Sequence, residues 1–324
     1  MTKFYFFGGK GGVGKSTISS AFAIKSSDAG LRTLLVSTDP AHSTADVFDQ
    51  PFGNEPSPVE GYENLWALEI DPEAELEEHM LEIKRAMNDQ VSATIVNELE
   101  GHIEMAHQTP GAHEAALFDR IIEVMREAEG YDRIVFDTSP TGSTLRLLSL
   151  PEHLEQWIER LESKRARSLR LFEYSALGAD RREAEERTVK DPIINRLRER
   201  KEMFEFAGEV MRNDAQFYLV MNPDQLSIEE TRRAIATLGG HGLSIDGLVI
   251  NRVTPAPDQD DHGTGGDFLR ERYETEQQRI ETIRSTFDEP VVGIIKTRTS
   301  EVTGELLRDI HEELAIEAMT SSVR

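Results

Sequence analysis

The stretch Gly8 to Thr17 reads GGKGGVGKST and sets two lysines, a serine and a threonine among glycines. Gly9 to Ser16 fit the phosphate-binding pattern G-x-x-x-x-G-K-[ST]. Glycine lets the backbone N–H groups of Gly9, Gly11, Gly12, Val13 and Gly14 turn toward one anion, and a helix that follows adds its positive end. Lys15 is placed to reach the β- and γ-phosphates of a nucleotide and the Ser16 hydroxyl, which closes the pattern, to ligate Mg²⁺, with Thr17 the next residue. A glycine turn with a chance lysine is the plain alternative. It does not account for the apolar strand before the motif or the helical run after it. Asp39 and Asp137 are the other residues suited to this chemistry, because each ends an apolar run. Alone, each reads as a strand-end turn residue. Beside a phosphate loop, such a carboxylate can position water or sense the γ-phosphate and Mg²⁺.

These residues need elements to hold them. Phe4–Phe7 predicts the strand leading into the loop, and Ile18–Ile24 has the spacing of the helix leaving it. Leu31–Thr38 predicts a second buried strand, ending at Asp39-Pro40, and Leu65–Ile70 a third, closed by Asp71-Pro72. Gly111–Glu129 predicts an amphipathic helix with Phe118, Ile121, Ile122 and Met125 inward, followed by a strand over Arg133–Phe136 that ends in Asp137. Phe217–Met221, Leu248–Ile250 and Val291–Ile295 predict the remaining strands, and Ser300–Ala318 contains a closing helix. Residues 51–61 and 255–266, rich in Pro, Gly and Asp, read as loops. The alternation predicts an α/β fold, a mainly parallel sheet with helices on both faces.

Two segments break the alternation. Residues 73–110 and 151–212 are helical in pattern and densely charged, with apolar stripes such as Leu76, Met80, Ile83 and Met87, or Ile193, Leu197, Phe204, Ala207 and Met211. They predict an inserted α-helical subdomain, leaving 1–72, 111–150 and 213–324 as the core. A stripe of this kind buries itself against neighbouring helices or against an apolar ligand.

Composition narrows the function. The chain has 324 residues, with 60 acidic against 36 basic side chains and a net charge of −24, which argues against nucleic acid as a partner. The basic run Lys164–Arg170 is flanked by acids and reads as a solvated helix face. The acidic surface, with arginine outnumbering lysine, fits adaptation to concentrated salt. Cysteine is absent, so disulfides, thiolate zinc sites and cysteine nucleophiles are excluded together. His79, His102, His107 and His113 lack metal-ligand spacing. With no apolar run of spanning length and a first strand beginning at Phe4, a cytoplasmic, soluble protein is expected.

Lys10 goes beyond the generic loop, because its side chain has no evident use on its own nucleotide. The stretch KGGVGKS resembles the deviant phosphate loop of the family containing MinD, ParA, nitrogenase iron protein and the arsenite-pump ATPase ArsA, whose early lysine acts across a dimer interface (the SIMIBI class of phosphate-loop NTPases). KGGVGKST, STDPAHST, LEIDP, FDTSPTGSTLR, PDQLSIEET and VINR occur in the order of the ArsA-like ATPases. The set looks most like the archaeal and eukaryotic targeting ATPases of the guided-entry (GET) pathway for tail-anchored proteins.

The resemblance implies a homodimer that hydrolyses ATP with Mg²⁺, carries transmembrane helices of tail-anchored proteins and meets a membrane receptor through transient membrane association. It implies Lys10 acting in trans, Asp39 positioning the attacking water, Asp137 sensing the γ-phosphate and Mg²⁺, and Asn251 reading adenine. Asp224 stands near the nucleoside, where the family usually has glutamate, and Ser143 where it often has histidine. The family often clamps its dimer with zinc between paired cysteines; without cysteine no zinc is expected here. Two other functions stay open: the ATPase subunit of an arsenite or other anion pump, and a MinD- or ParA-like spatial organiser.

Overall fold

The computed structural model describes residues 2–38, 43–71, 112–137, 192–258, 262–300 and 302–317, with a few single positions between them. Strands β1 (Lys3–Gly9), β2 (Thr33–Ser37), β3 (Ser57–Pro58), β4 (Leu65–Glu69), β5 (Arg133–Asp137), β6 (Ala215–Met221), β7 (Gly247–Val253) and β8 (Val291–Lys296) form one sheet. The order is β3-β4-β2-β5-β1-β6-β7-β8, parallel throughout except for the antiparallel pair β3–β4. Helices are α1 (Lys15–Asp28), α2 (Ser43–Phe48), α3 (Ala112–Arg126), α4 (Pro192–Asn213), α5 (Gln225–Gly240), α6 (Thr264–Thr286) and α7 (Glu305–Glu312).

The centre of the sheet explains the aromatic start of the chain. Successive side chains of a strand point to opposite faces. Phe4 and Phe6 enter the layer under α3, α4, α5 and α6, whereas Tyr5 and Phe7 enter the layer under α1 and α7. Phe6 is in register with Phe136 on β5 and Phe217 on β6, and its ring stacks on both at 4.6 and 5.0 Å. On the other face Phe7 stacks with Tyr218 at 5.4 Å, and Tyr5 packs on Phe22 of α1 at 4.8 Å. Each ring pair adds about 0.5–1.5 kcal/mol to its burial, so β1 is held from both sides and both faces.

Helix α1 is buried over most of its length, between the sheet and α7. Lys25 donates to the carbonyls of His311 and Leu314 at the end of α7, a favourable place for a cation. Buried Arg133 lies 4.8 Å over the Tyr5 ring and donates to Ser26 Oγ at 3.1 Å and the Glu317 carbonyl at 3.2 Å. The helix that begins at Lys15 is thus fixed at its far end.

The fold departs from the sequence expectation in four places. Ser57–Pro58 pairs as an edge strand inside the predicted 51–61 loop, and Ser43–Phe48 forms a short helix. Helix α6 starts at Thr264, taking in the end of the predicted 255–266 loop. On α4, Phe204, Ala207 and Met211 are buried in the sheet's own core, with Phe204 stacked on Phe118 of α3 at 5.9 Å. Most of 73–110 and 151–191 lies outside the described residues.

Candidate nucleotide site

The chain runs from β1 to β2, β4 and β5 on one side of the sheet, then to β6, β7 and β8 on the other, so the strand order reverses between β1 and β6. A crevice beyond the strand ends at such a reversal is where open α/β sheets bind ligands. The glycine loop lies there. Gly9 has φ 150°, and a Cβ on it would sit 2.3 Å from the Val220 carbonyl oxygen of β6, so a side chain would push β1 and β6 apart. Gly14 precedes α1 at φ 91°, a left-handed conformation that glycine adopts without strain. A Cβ there would sit 2.3 Å from Asn251 Nδ2.

The N-cap of α1 is Gly14, which brings no capping side chain to the helix start, and a helix N-terminus favours an anion. Lys15 is buried and its Nζ donates to the Lys10 carbonyl at 3.2 Å, inside the loop. Ser16 and Thr17 occupy the next positions of that first turn, Gly11 and Gly12 are exposed, and Val13 anchors the loop in the core under α1. Lys10 is turned the other way: its Nζ lies 3.4 Å from Glu230 Oε1 on α5.

Asp137 ends β5 beside the loop, in register with Phe7 of β1 and Ser37 of β2, and is buried. Its carbonyl accepts both the N–H and the hydroxyl of Thr38, at 3.0 and 3.1 Å. That pair pins the end of β2 from which Asp39 follows; Asp39 itself, like Ser143, lies outside the described residues.

Asn251 Nδ2 donates to the Val13 carbonyl at 2.7 Å, and its Oδ1 accepts the Arg252 N–H at 2.8 Å. It therefore braces the loop from β7. Asp224 caps α5, accepting the Ser227 N–H at 2.9 Å and the Ser227 hydroxyl at 3.0 Å. It also lines a cavity of about 620 Å³ with Asn222, Arg252, Phe268 and Arg279, which no loop residue lines. The fold thus gathers the loop, Asp137 and Asn251, and holds Asp224 at a helix cap.

Sequence reasoning missed two carboxylates. Buried Glu69, the acid of LEIDP, accepts the Ala45 N–H of α2 at 2.9 Å. Glu230, within PDQLSIEET, meets Lys10. Helical spacing from Ser227 places Glu230 on the same side of α5, but only the fold brings that side to the loop.

A parallel sheet, a glycine loop between β1 and α1 with one lysine inside it, and a buried aspartate on the adjacent strand define a phosphate-loop nucleoside triphosphatase. The ArsA-type family described as "Anion-transporting ATPase" matches residues 2–315. The chain belongs to that family and is an ATPase. It is 34% identical over 314 residues to the putative arsenical pump-driving ATPase 2 of Aquifex aeolicus, spanning 96% of this chain and 99% of the relative. To the ATPase GET3A of Arabidopsis thaliana it is 31% identical, over 93% of this chain and 80% of the relative. A putative arsenical pump-driving ATPase of Halobacterium salinarum is 33% identical over 95% of this chain but only 43% of its own length. Among the described residues no helix is long and apolar enough to cross a membrane.

Proposed function

We propose that the chain works as a homodimer that hydrolyses ATP, using Lys10 of each copy on the nucleotide of the other, and that the dimer carries the transmembrane helix of tail-anchored proteins to a membrane receptor. The observation that supports it is the opposed direction of the two loop lysines. Lys15 Nζ lies inside its own loop, whereas Lys10 Nζ lies outside it on the α5 side. A nucleotide held by this loop is therefore served by Lys15, and Lys10 is left for a second one.

The glycine loop's N–H groups and the N-terminal end of α1 hold the phosphates, and Lys15 offsets their charge. The Ser16 hydroxyl and the Asp137 carboxylate are the residues that fit Mg²⁺. When bound, the ion neutralises charge on the phosphates and orients them. Asp39 accepts a hydrogen bond from the attacking water and aims it; phosphoryl transfer needs positioning more than a strong base. Asn251 meets adenine with the N–H and lone pair it does not use on Val13 and Arg252.

For the client we retain 73–110 and 151–212 as the binding segments. Within the second, Phe204, Ala207 and Met211 already serve the core, which leaves the residues before them for a groove. ATP favours the closed dimer in which paired segments form that groove, a shift of population by differential binding. Relatives named as arsenical pump-driving ATPases support a second reading, the ATPase subunit of an anion pump. Metalloid activation in that class relies on cysteine, and this chain has none. A spatial organiser that works on DNA is disfavoured by the net charge of −24.

Co-expression with a tail-anchored protein separates these readings. A soluble complex recovered from wild type but not from Lys15→Ala supports targeting. ATPase stimulated by arsenite, with the client left insoluble, contradicts it.

A further inference from the structure

We propose that Glu230 is a positioning residue for Lys10: it holds that lysine against its own subunit and makes the release conditional on phosphate in a second copy. This rests on the reading that Lys10 acts in trans.

Lys10 Nζ is 3.4 Å from Glu230 Oε1, and the two side chains are 42% and 39% exposed. The carboxylate is unevenly satisfied. Oε1 faces the lysine, while Oε2 is buried and has no hydrogen-bond partner among the described residues. A buried acceptor without a donor is costly, and the cost rises when a nearby countercharge is withdrawn. The surroundings supply little else. Among the described residues the same narrow space holds no cation besides Lys10, and its two other polar side chains, Ser227 and Thr231, donate their hydroxyls to Asp224 and to the Met221 sulfur. Glu229 and Arg233 of the same helix are engaged with each other at 3.8 Å on its exposed side.

Moving Lys10 onto another subunit's nucleotide therefore strands Glu230. The polyphosphate of ATP carries more negative charge than one carboxylate, so it can draw the lysine away, whereas an empty partner site offers nothing in exchange. The pair acts as a threshold on dimer closure. Since both side chains are partly in water, the threshold is shallow and weakens with salt.

Sedimentation velocity at rising concentrations of a non-hydrolysable ATP analogue reads this directly, on wild type, Glu230→Gln, Lys10→Ala and the double variant. Glu230→Gln keeps the size of the side chain and removes its charge; Glu230→Ala is run beside it, with thermal melts of both. The expected result is half-maximal dimerisation at about two- to five-fold lower analogue concentration, the range an exposed ion pair carries. Adding Glu230→Gln to Lys10→Ala should change nothing. If wild type dimerises, Lys10→Ala does not, and both Glu230 variants follow the wild-type curve, Glu230 holds nothing and the proposal falls while the trans reading stands. If the Glu230 effect survives without Lys10, it acts through another group and the proposal also falls. If wild type stays monomeric at saturating analogue, both fall; if it is already a dimer without analogue, the pair sets no threshold on assembly and the proposal falls while the trans reading stands.

Discussion

The Asn251 amide nitrogen donates to the Val13 carbonyl at 2.7 Å, joining the end of β7 to the middle of the phosphate loop. Asn251 Oδ1 meanwhile accepts the N–H of Arg252, which sits at φ 57°, a left-handed conformation costly for a side chain of that size. One amide thus supports the loop and a strained turn. If it also reads adenine, Asn251→Ala should weaken ATP binding roughly ten-fold, the scale of one or two lost hydrogen bonds, and erase the preference for ATP over GTP. Titration calorimetry with both nucleotides checks this. Equal weakening of both, with the preference intact, would make Asn251 a brace alone.

Asp246 gives the fold a pH signature. Burial raises its carboxyl above the usual range, opposed by the Phe217 N–H that it accepts at 2.8 Å. The folded chain therefore holds this proton more tightly than the unfolded chain. The sign follows: the contribution is most favourable below the ordinary carboxylate value and is lost as pH rises from there through the raised folded value. Asp246→Asn keeps an acceptor for Phe217 and removes the titration. Urea unfolding from pH 3 to pH 7 should show a smaller loss, or a larger gain, of stability with rising pH in the variant than in wild type. Identical pH profiles would show that the burial carries no penalty.

Sixty acidic side chains against thirty-six basic ones make self-repulsion a large opponent of this fold. Many ion pairs that offset it lie at the surface, such as Arg308–Asp28 and Arg284–Glu281, and add about 0–1 kcal/mol each. Screening of repulsion should dominate, so the melting temperature should rise from dilute buffer to molar potassium chloride. Equal melting temperatures would remove the reading of a protein built for concentrated salt.

The loop, the parallel sheet and the strand-end aspartate were legible because each is a local signal: Gly9–Ser16 by spacing, Phe4–Phe7 and Arg133–Asp137 as apolar runs with a polar end. The Ser57–Pro58 strand was not legible, since two residues carry no period and its pairing with Trp66 and Ala67 is tertiary. Nor was the start of α6, where Gly265 and Gly266 argue against helix; its hold comes from Ile280 and Ile283 in the core, several turns further on. Glu230 looks no different from Glu229 in sequence, and only the approach of α5 to the loop gives it Lys10. The brace role of Asn251 was hidden for the same reason: its partner Val13 is 238 positions away.

Whether Lys10 completes the site of another copy is tested most directly by mixing two inactive variants. Asp39→Asn should bind ATP with little loss and turn it over far more slowly; Lys10→Ala should dimerise poorly and be inactive by itself. In a heterodimer of the two, action in trans leaves one site with both Asp39 and Lys10, and puts both lesions in the other. ATPase activity should therefore return on mixing, in proportion to the heterodimer counted by native mass spectrometry. Heterodimer present in quantity with no recovered activity would contradict a lysine shared between subunits.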